Sequence, residues 1–249
     1  MSGIITLYKN SALTQDLSNS SWVQSIILPT TTVPVSGTVT SSGVAGYGLN
    51  TGTTTMLDVY IQPTAGTGVH GSDFVSNMQI APDSHGTPGT YGSSGNNVLV
   101  YSGELGPSQA EPTVNTSGNV TNPSTGPSLS SSSTASNLAA GTYLVAYSFT
   151  NANGETLVSP TTSITITSGQ SITVASISLA TNATGINYYL TPIPGRSELY
   201  LAGNNSGGSS IILSEVTGFF RFWVRQVVSS SDPTGVYQAQ LTVSAVDLG

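Results

Sequence analysis

The two histidines of the chain each lie close to an aspartate, an arrangement of residue types that could do chemistry. His70 stands in GVHGSDF, before Asp73, and His85 stands in APDSHGTPG, after Asp83. A histidine and a carboxylate can ligate a metal ion or join a serine in a triad, which is defined by geometry rather than chain order. The G-x-S-x-G turn that presents a nucleophilic serine is absent. We therefore predict no catalytic residue and interpret both histidines as polar loop residues.

Oxygen-bearing side chains also occur close together in the stretch NANGE. Asn151, Asn153 and Glu155 could offer oxygens to Ca²⁺, but their spacing departs from the D-x-D-x-D loop, and Asn-Gly by itself predicts a tight hairpin turn. Carboxylates for glycoside hydrolysis must face each other across a groove, whereas the 11 acidic residues are scattered singly. We predict no metal site and no cofactor.

A third candidate is the aromatic and cationic stretch GFFRFWVRQVV at residues 218–228. Side chains alternate between the two faces of a strand, and the apolar face is predicted to be core. The residues of this apolar face are Phe220, Phe222 and Val224. The other face, Arg221, Trp223 and Arg225, is a possible interaction surface. It would act as a cation–π ladder or interdomain packing, as a subunit contact, or as a sugar platform.

Charged residues are scarce, and this limits the partners of the chain. Only 6% of the 249 residues are charged, against a usual share of about 25%, and the net charge is −7. Nucleic acid and anionic membranes are excluded as partners, because their recognition needs clusters of Lys and Arg. No apolar stretch is long enough for a transmembrane helix, the first residues lack the pattern of a secretory signal, and the absence of cysteine excludes disulfides.

The elements that position these residues are predicted to be strands. Helical periodicity is hard to find, whereas apolar and polar residues alternate between Gly, Asn and Pro breaks. In GTYLVAYSFTNANGETLVSP, for example, Tyr143, Val145, Tyr147 and Phe149 fall on one face. The fold class is therefore all-β. An upstream set of strands is predicted at Ile4 to Tyr8, Trp22 to Leu28, Thr38 to Val44, Thr54 to Ile61, Phe74 to Ile80 and Val98 to Tyr101.

Two domains are predicted, both β-sandwiches. Residues 1–110 form the first and residues 111–216 the second, with a Ser- and Pro-rich linker at 104–135 that runs into an edge strand at SLSSSSTAS. Residues 218–228 and 236–246 form a hairpin, which is marginal alone and must join a sheet. We expect residues 217–249 to complete the first sandwich, so that the second domain is inserted into the first. Tandem order, with the hairpin extending the second sandwich, is the alternative.

The second domain resembles a known module. Its stretches AAGTYLVAYSFTNANGETLVSP, SGQSITV, NATGINYYLTPIPG and ELYLAGN, within about Asn137 to Asn205, are similar to the immunoglobulin or fibronectin type III-like module of tailed-bacteriophage structural proteins. The resemblance implies two immunoglobulin-like domains in a virion protein on the particle surface, assembled in the bacterial cytoplasm. It implies no catalytic residues.

These observations favour a non-enzymatic virion structural protein, most simply a capsid decoration protein on the head. Its expected partners are the major capsid or tail proteins and further copies of itself in a homo-oligomer, with weak contacts multiplied by particle symmetry. The alternative is a tail or tail-fibre adhesion module that binds host-surface glycan. An enzyme that uses His70 or His85 is the third class considered.

Overall fold

The computed structural model describes residues 5–8, 28, 34–65, 75–233 and 239–249. These residues form an all-β structure in which only residues 75–77 are helical. None of the helical residues in this part of the chain belongs to a segment long and apolar enough to cross a membrane. The predicted strand from Trp22 lies outside the described residues except for Leu28.

The strands, in chain order, are β1 (Ile5–Tyr8), β2 (Thr38–Thr40), β3 (Val44–Asn50), β4 (Met56–Ala65), β5 (Met78–Ser84), β6 (Thr87–Pro88), β7 (Val98–Leu105), β8 (Leu129–Ala135), β9 (Gly141–Asn151), β10 (Gly154–Glu155), β11 (Thr162–Ile166), β12 (Gln170–Val174), β13 (Gly185–Leu190), β14 (Tyr200–Asn205), β15 (Ile211–Leu213), β16 (Phe219–Ser229) and β17 (Ala239–Asp247).

The chain divides into two compact units. The first consists of Met1–Pro107 together with Phe220–Gly249, and the second of Ser108–Phe219. Each unit contains two antiparallel sheets and its own apolar cluster. Each is therefore described separately.

In the first unit a six-stranded sheet faces a three-stranded one. The larger sheet has the order β1-β3-β16-β5-β6, with β2 also paired to β16, and the smaller has the order β17-β4-β7. Apolar side chains from both sheets form one core cluster, since each strand buries the face on which its apolar residues alternate. The fully or nearly buried members include Val59 and Ile61 of β4, Ile80 of β5 and Phe222 of β16.

The second unit repeats this arrangement with other strands. One sheet has the order β10-β9-β13-β14, with β11 also paired to β9, and the other has the order β15-β12-β8. The predicted alternation along β9 is present, because Tyr143, Val145, Tyr147 and Phe149 all belong to the core cluster. Ile172 of β12 meets them from the opposite sheet.

The prediction that residues 218–228 and 236–246 form a hairpin is wrong. In the structure β16 lies in the six-stranded sheet of the first unit and β17 lies beside β4 in the three-stranded sheet. Both strands carry one apolar face, and Phe222 of β16 and Val243 of β17 pack into the same cluster. Two strands that cover one core from opposite sides must lie in different layers, so they are not hydrogen-bonded neighbours.

The segment predicted as a linker that runs into an edge strand, residues 104–135, begins with the end of β7 and ends in β8, which lies at the edge of a three-stranded sheet. Between them the backbone N–H of Glu111 donates to the Leu199 carbonyl at 3.1 Å, and that of Thr116 donates to the Glu155 carbonyl at 2.8 Å. Val120 is buried in the core of the second unit. The Pro- and Ser-rich composition therefore belongs to an irregular, packed segment rather than to an open linker.

Candidate functional site

Strand β16 positions the aromatic and cationic side chains. Burial alternates along it, so that Phe220, Phe222 and Val224 are buried in the core, as the period of the sequence predicts. The side chains of Arg221, Trp223 and Arg225 lie on the opposite face of the sheet and are partly exposed. We call this face, with the residues of β3 and β5 beside it, the outer face of β16.

Two glycines in the neighbouring strand β3 set the position of the phenylalanine rings. A Cβ atom at Gly46 would overlap the ring of Phe222, and one at Gly48 would overlap the ring of Phe220. Each ring therefore lies directly over a glycine backbone, a close approach that no other residue type allows. This packing fixes β16 against β3 from the core side.

The carboxylate of Asp83 in β5 connects three donors on the outer face. Its Oδ1 accepts the indole N–H of Trp223 at 2.7 Å and lies 3.7 Å from Nη1 of Arg221. Its Oδ2 accepts the backbone N–H of Gly86 at 2.9 Å. The side chains of Arg221 and Asp83 are only 9% and 14% exposed. Asp83 therefore links β5 to β16 and to the turn that follows β5.

Arg225 is held between a loop residue and β5. Its guanidinium carbon lies 3.7 Å from the centroid of the Tyr91 ring, and its Nε donates to Oε1 of Gln79 at 2.8 Å. Burial raises the pKa of Tyr91 above its ordinary value, although the positive charge of Arg225 acts in the opposite direction. A cation–π contact of this kind is worth about 0.5–2 kcal/mol, depending on how far it is desolvated.

Arg221 has a similar but looser aromatic partner. Its guanidinium carbon lies 5.7 Å from the centroid of the Tyr47 ring of β3. Among the described residues, no hydrogen-bond partner is found for its buried Nε or for the buried hydroxyl of Tyr91. The three predicted residues are thus brought together, and each is in contact with a side chain from β3, from β5 or from the segment after β6.

Sequence reasoning missed these partners. Tyr91 and Gln79 carry no pattern that points to Arg225, and Asp83 was considered only as a partner of His85. A usable signal was the alternation in VAGYGLN, which places Tyr47 on the face opposite the two glycines.

The structure describes one of the two histidines, His85. His70 and Asp73 lie outside the described residues. His85 occupies the turn between β5 and β6 with φ of 55°, followed by Gly86 with φ of 90°, which is the geometry of a two-residue hairpin turn. The carboxylate of Asp83 is directed to Gly86 and Trp223.

Two of the three residues considered for calcium, Asn151 and Glu155, direct their side-chain oxygens to hydrogen-bond donors of the protein. Oδ1 of Asn151 accepts the backbone N–H groups of Asn153 at 2.9 Å and Gly154 at 3.2 Å, so it closes the turn. The carboxylate of Glu155 accepts hydrogen bonds from Ser148 and Tyr189. Within the described residues, no group of three or more His, Cys, Asp or Glu side chains could hold a metal ion.

The cluster around Glu155 was not foreseen either. The Tyr189 hydroxyl donates to Oε1 of Glu155 at 2.6 Å, and Nε2 of Gln109 lies 3.3 Å from the Tyr189 hydroxyl. Burial, the hydrogen bond to Glu155 and the negative charge of Glu155 raise the pKa of Tyr189 far above its ordinary value. Ser148 and Tyr189 are fully buried, so the cluster joins β9, β10 and β13 from within.

Compared with protein-family models, with curated proteins and with solved structures, the chain matches none of them.

Proposed function

We propose that the protein is a non-enzymatic structural component of a tailed-phage virion, most simply a decoration protein on the capsid surface. The proposal is carried by the second unit, whose strand arrangement and Tyr143 contact support the immunoglobulin-like module that the sequence resembles. Two further observations support a building-block role: each unit has its own core, and the outer face of β16 is cross-linked by its own side chains.

The Tyr143 contact is the more specific support. Tyr143 stands near the start of β9, and its buried hydroxyl donates to the carbonyl of Ala139, four residues upstream, at 3.1 Å. In immunoglobulin-like sandwiches a tyrosine near the start of strand F makes such a bond, which is known as the tyrosine corner. We therefore assign β9 to strand F.

The neighbours of β9 support the same assignment. In these sandwiches F pairs with C and G, and B pairs with E in the other sheet. Here β9 pairs with β13 and β11, and β12 lies between β15 and β8, the strand that precedes β9. With β8 assigned to E because it precedes F, the order of β8, β9, β11, β12 and β13 is E, F, G, B, C, which is a circular rearrangement of the usual order. The second unit is proposed to be such a module, inserted between β7 and β16 of the first.

Docking on a particle would use surfaces rather than a pocket. The chain carries few charges, so salt would screen its contacts only weakly. Weak contacts of single copies would be multiplied by the symmetry of the capsid. The proposed partners are the major capsid protein and further copies of the chain.

Quantitative mass spectrometry of purified particles tests this function. The expected result is a copy number that is equal to, or a simple fraction of, that of the major capsid protein. A handful of copies per particle would place the chain in the tail or a fibre and refute the decoration role. Absence from particles would refute the virion function altogether.

A second candidate, an adhesion module for host-surface glycan, is favoured by the partly exposed Trp223 beside Tyr91 and two arginines. Aromatic rings next to planar polar groups suit sugar recognition. A glycan array with the intact chain tests it, with Trp223→Phe and Tyr91→Phe as variants that keep an aromatic ring at each position. Binding that these variants weaken would support adhesion, whereas a blank array would exclude it.

A further inference from the structure

β17 is the longest of the strands that lie at a sheet edge in the described part of the chain. Natural edge strands are usually protected by charges, proline, bulges or short length. The edge at β6 has two residues and ends in Pro88, and β7 contains Glu104 and an interrupted register. β14 is bridged by Ala110, and β8 is uncharged as well but is shorter and pairs regularly with β12 over only four residues. β17 has nine residues, AQLTVSAVD, without proline and without charge before Asp247.

Most of β17 is also regular. Its residues Ala239–Ser244 pair with Ala65–Tyr60 of β4 without a register shift. Leu241 and Val243 pack against the core, whereas Gln240 and Thr242 are exposed on the outer side of the sheet. Within the described residues, β17 ends the sheet order β17-β4-β7. In an antiparallel edge strand every second residue directs its backbone N–H and C=O away from the sheet.

We propose that β17 pairs antiparallel with β17 of a second copy of this chain. The two three-stranded sheets would then join into one sheet of six strands in the order β7-β4-β17-β17-β4-β7. An identical strand related by a twofold axis keeps apolar side chains on the core side and polar ones on the outer side, because opposite residues in an antiparallel pair share a face.

The requirement that opposite residues share a face also restricts the register of the pairing. Opposite residues must both face the core or both face outward, so the twofold axis must pass through a residue rather than between two. Within the regular run, axes at Leu241 and at Thr242 each pair five residues, and we place the axis at Thr242 because two threonine hydroxyls then lie opposite each other. Thr242 then faces Thr242 of the second copy, Gln240 faces Ser244, and Leu241 faces Val243.

Charge supports a second copy rather than a different partner. The whole chain has a net charge of −7, which would favour a basic partner at most surfaces. The run from Ala239 to Val246 carries no charge, so two identical strands meet without repulsion along it. This pairing does not depend on the proposed virion function, because a chain absent from particles would still dimerise and a monomeric chain could still decorate a capsid.

Sedimentation of the intact chain over a range of concentrations tests the pairing. We expect the wild type to dimerise and Thr242→Lys to weaken dimerisation at least about tenfold, since two like charges would then lie directly opposite each other. The matched control is Gln62→Lys, because Gln62 is the neighbour of Thr242 in β4, is exposed and lies one strand further from the edge. Its dimerisation is expected to stay unchanged.

A charge-swap experiment separates strand pairing from loss of folding. Thr242→Lys and Thr242→Asp should each be monomeric and folded by circular dichroism, and their mixture should form a heterodimer. A monomeric wild type at high micromolar concentration would overturn the proposal. Equal weakening by Gln62→Lys would also overturn it, because the copies would then associate through the outer side of the sheet rather than through its edge.

Discussion

Replacing Asp83 with alanine removes the carboxylate that three donors share. Trp223 donates to it at 2.7 Å and Gly86 at 2.9 Å, and Nη1 of Arg221 lies 3.7 Å away. The Arg221 side chain is 9% exposed, so its positive charge would stay in place without a counter-ion. The alanine variant therefore leaves unpaired donors on the outer face of β16 rather than merely fewer contacts.

The size of the effect follows from this geometry. A hydrogen bond to a charged group contributes about 1.5–3 kcal/mol, and removal of one partner from a buried ion pair costs about 3–5 kcal/mol. The two contributions are not added, because both describe the loss of the same carboxylate. We therefore expect a loss of about 3–5 kcal/mol in the free energy of unfolding of the first unit. Asp83→Asn keeps an acceptor for the indole and should cost about half as much.

Urea unfolding followed by tryptophan fluorescence measures this loss. Trp22 and Trp223 both belong to the sequence ranges of the first unit, so their fluorescence follows that unit. The control is Glu104→Ala, which removes the same charge from an exposed side chain and should change stability by less than about 0.5 kcal/mol. A loss below about 1 kcal/mol for Asp83→Ala would refute the reasoning, because Asp83 would then not hold the face together.

Three further predictions concern single contacts. Gly46→Ala should destabilise the first unit by about 1–3 kcal/mol through overlap with Phe222, and Phe222→Leu in the same chain should relieve part of that loss in urea unfolding. Tyr143→Phe should destabilise the second unit by about 1–2 kcal/mol, measured by its thermal transition, because the Ala139 carbonyl loses its donor. Because the pKa of Tyr189 is raised in the folded chain, the folded chain keeps a proton that the unfolded chain loses above a pH of about 10. The free energy of unfolding should therefore fall as pH rises beyond that value, and it should fall less steeply in Tyr189→Phe.

The alternation of apolar residues was sufficient to predict faces but not partners. It placed Phe220 and Phe222 in the core because a strand has a fixed period of two. It could not show that Tyr91 covers Arg225, since that contact depends on the path of an irregular segment far away in the chain. Nor could it show that β16 and β17 lie in different sheets, because two amphipathic strands joined by a turn-like stretch read as a hairpin in either case.

Composition was only partly sufficient to predict the structure of residues 104–135. Proline, serine and glycine are typical of linkers because they favour extended and turn conformations over regular elements. The same residues also suit a packed irregular segment, whose backbone groups find partners in a neighbouring sheet. Only the tertiary contacts, such as the burial of Val120, distinguish the two.

The pairing of β16 and β17 with early strands has a consequence for biosynthesis. β3, β4 and β5 need partners that lie beyond residue 218, so the first unit cannot close its core until β17 has left the ribosome. At roughly 5–20 residues per second the strands that are translated first wait for many seconds. The second unit, whose residues are contiguous, is complete earlier. The strands that are made first are therefore the last to complete their sheets.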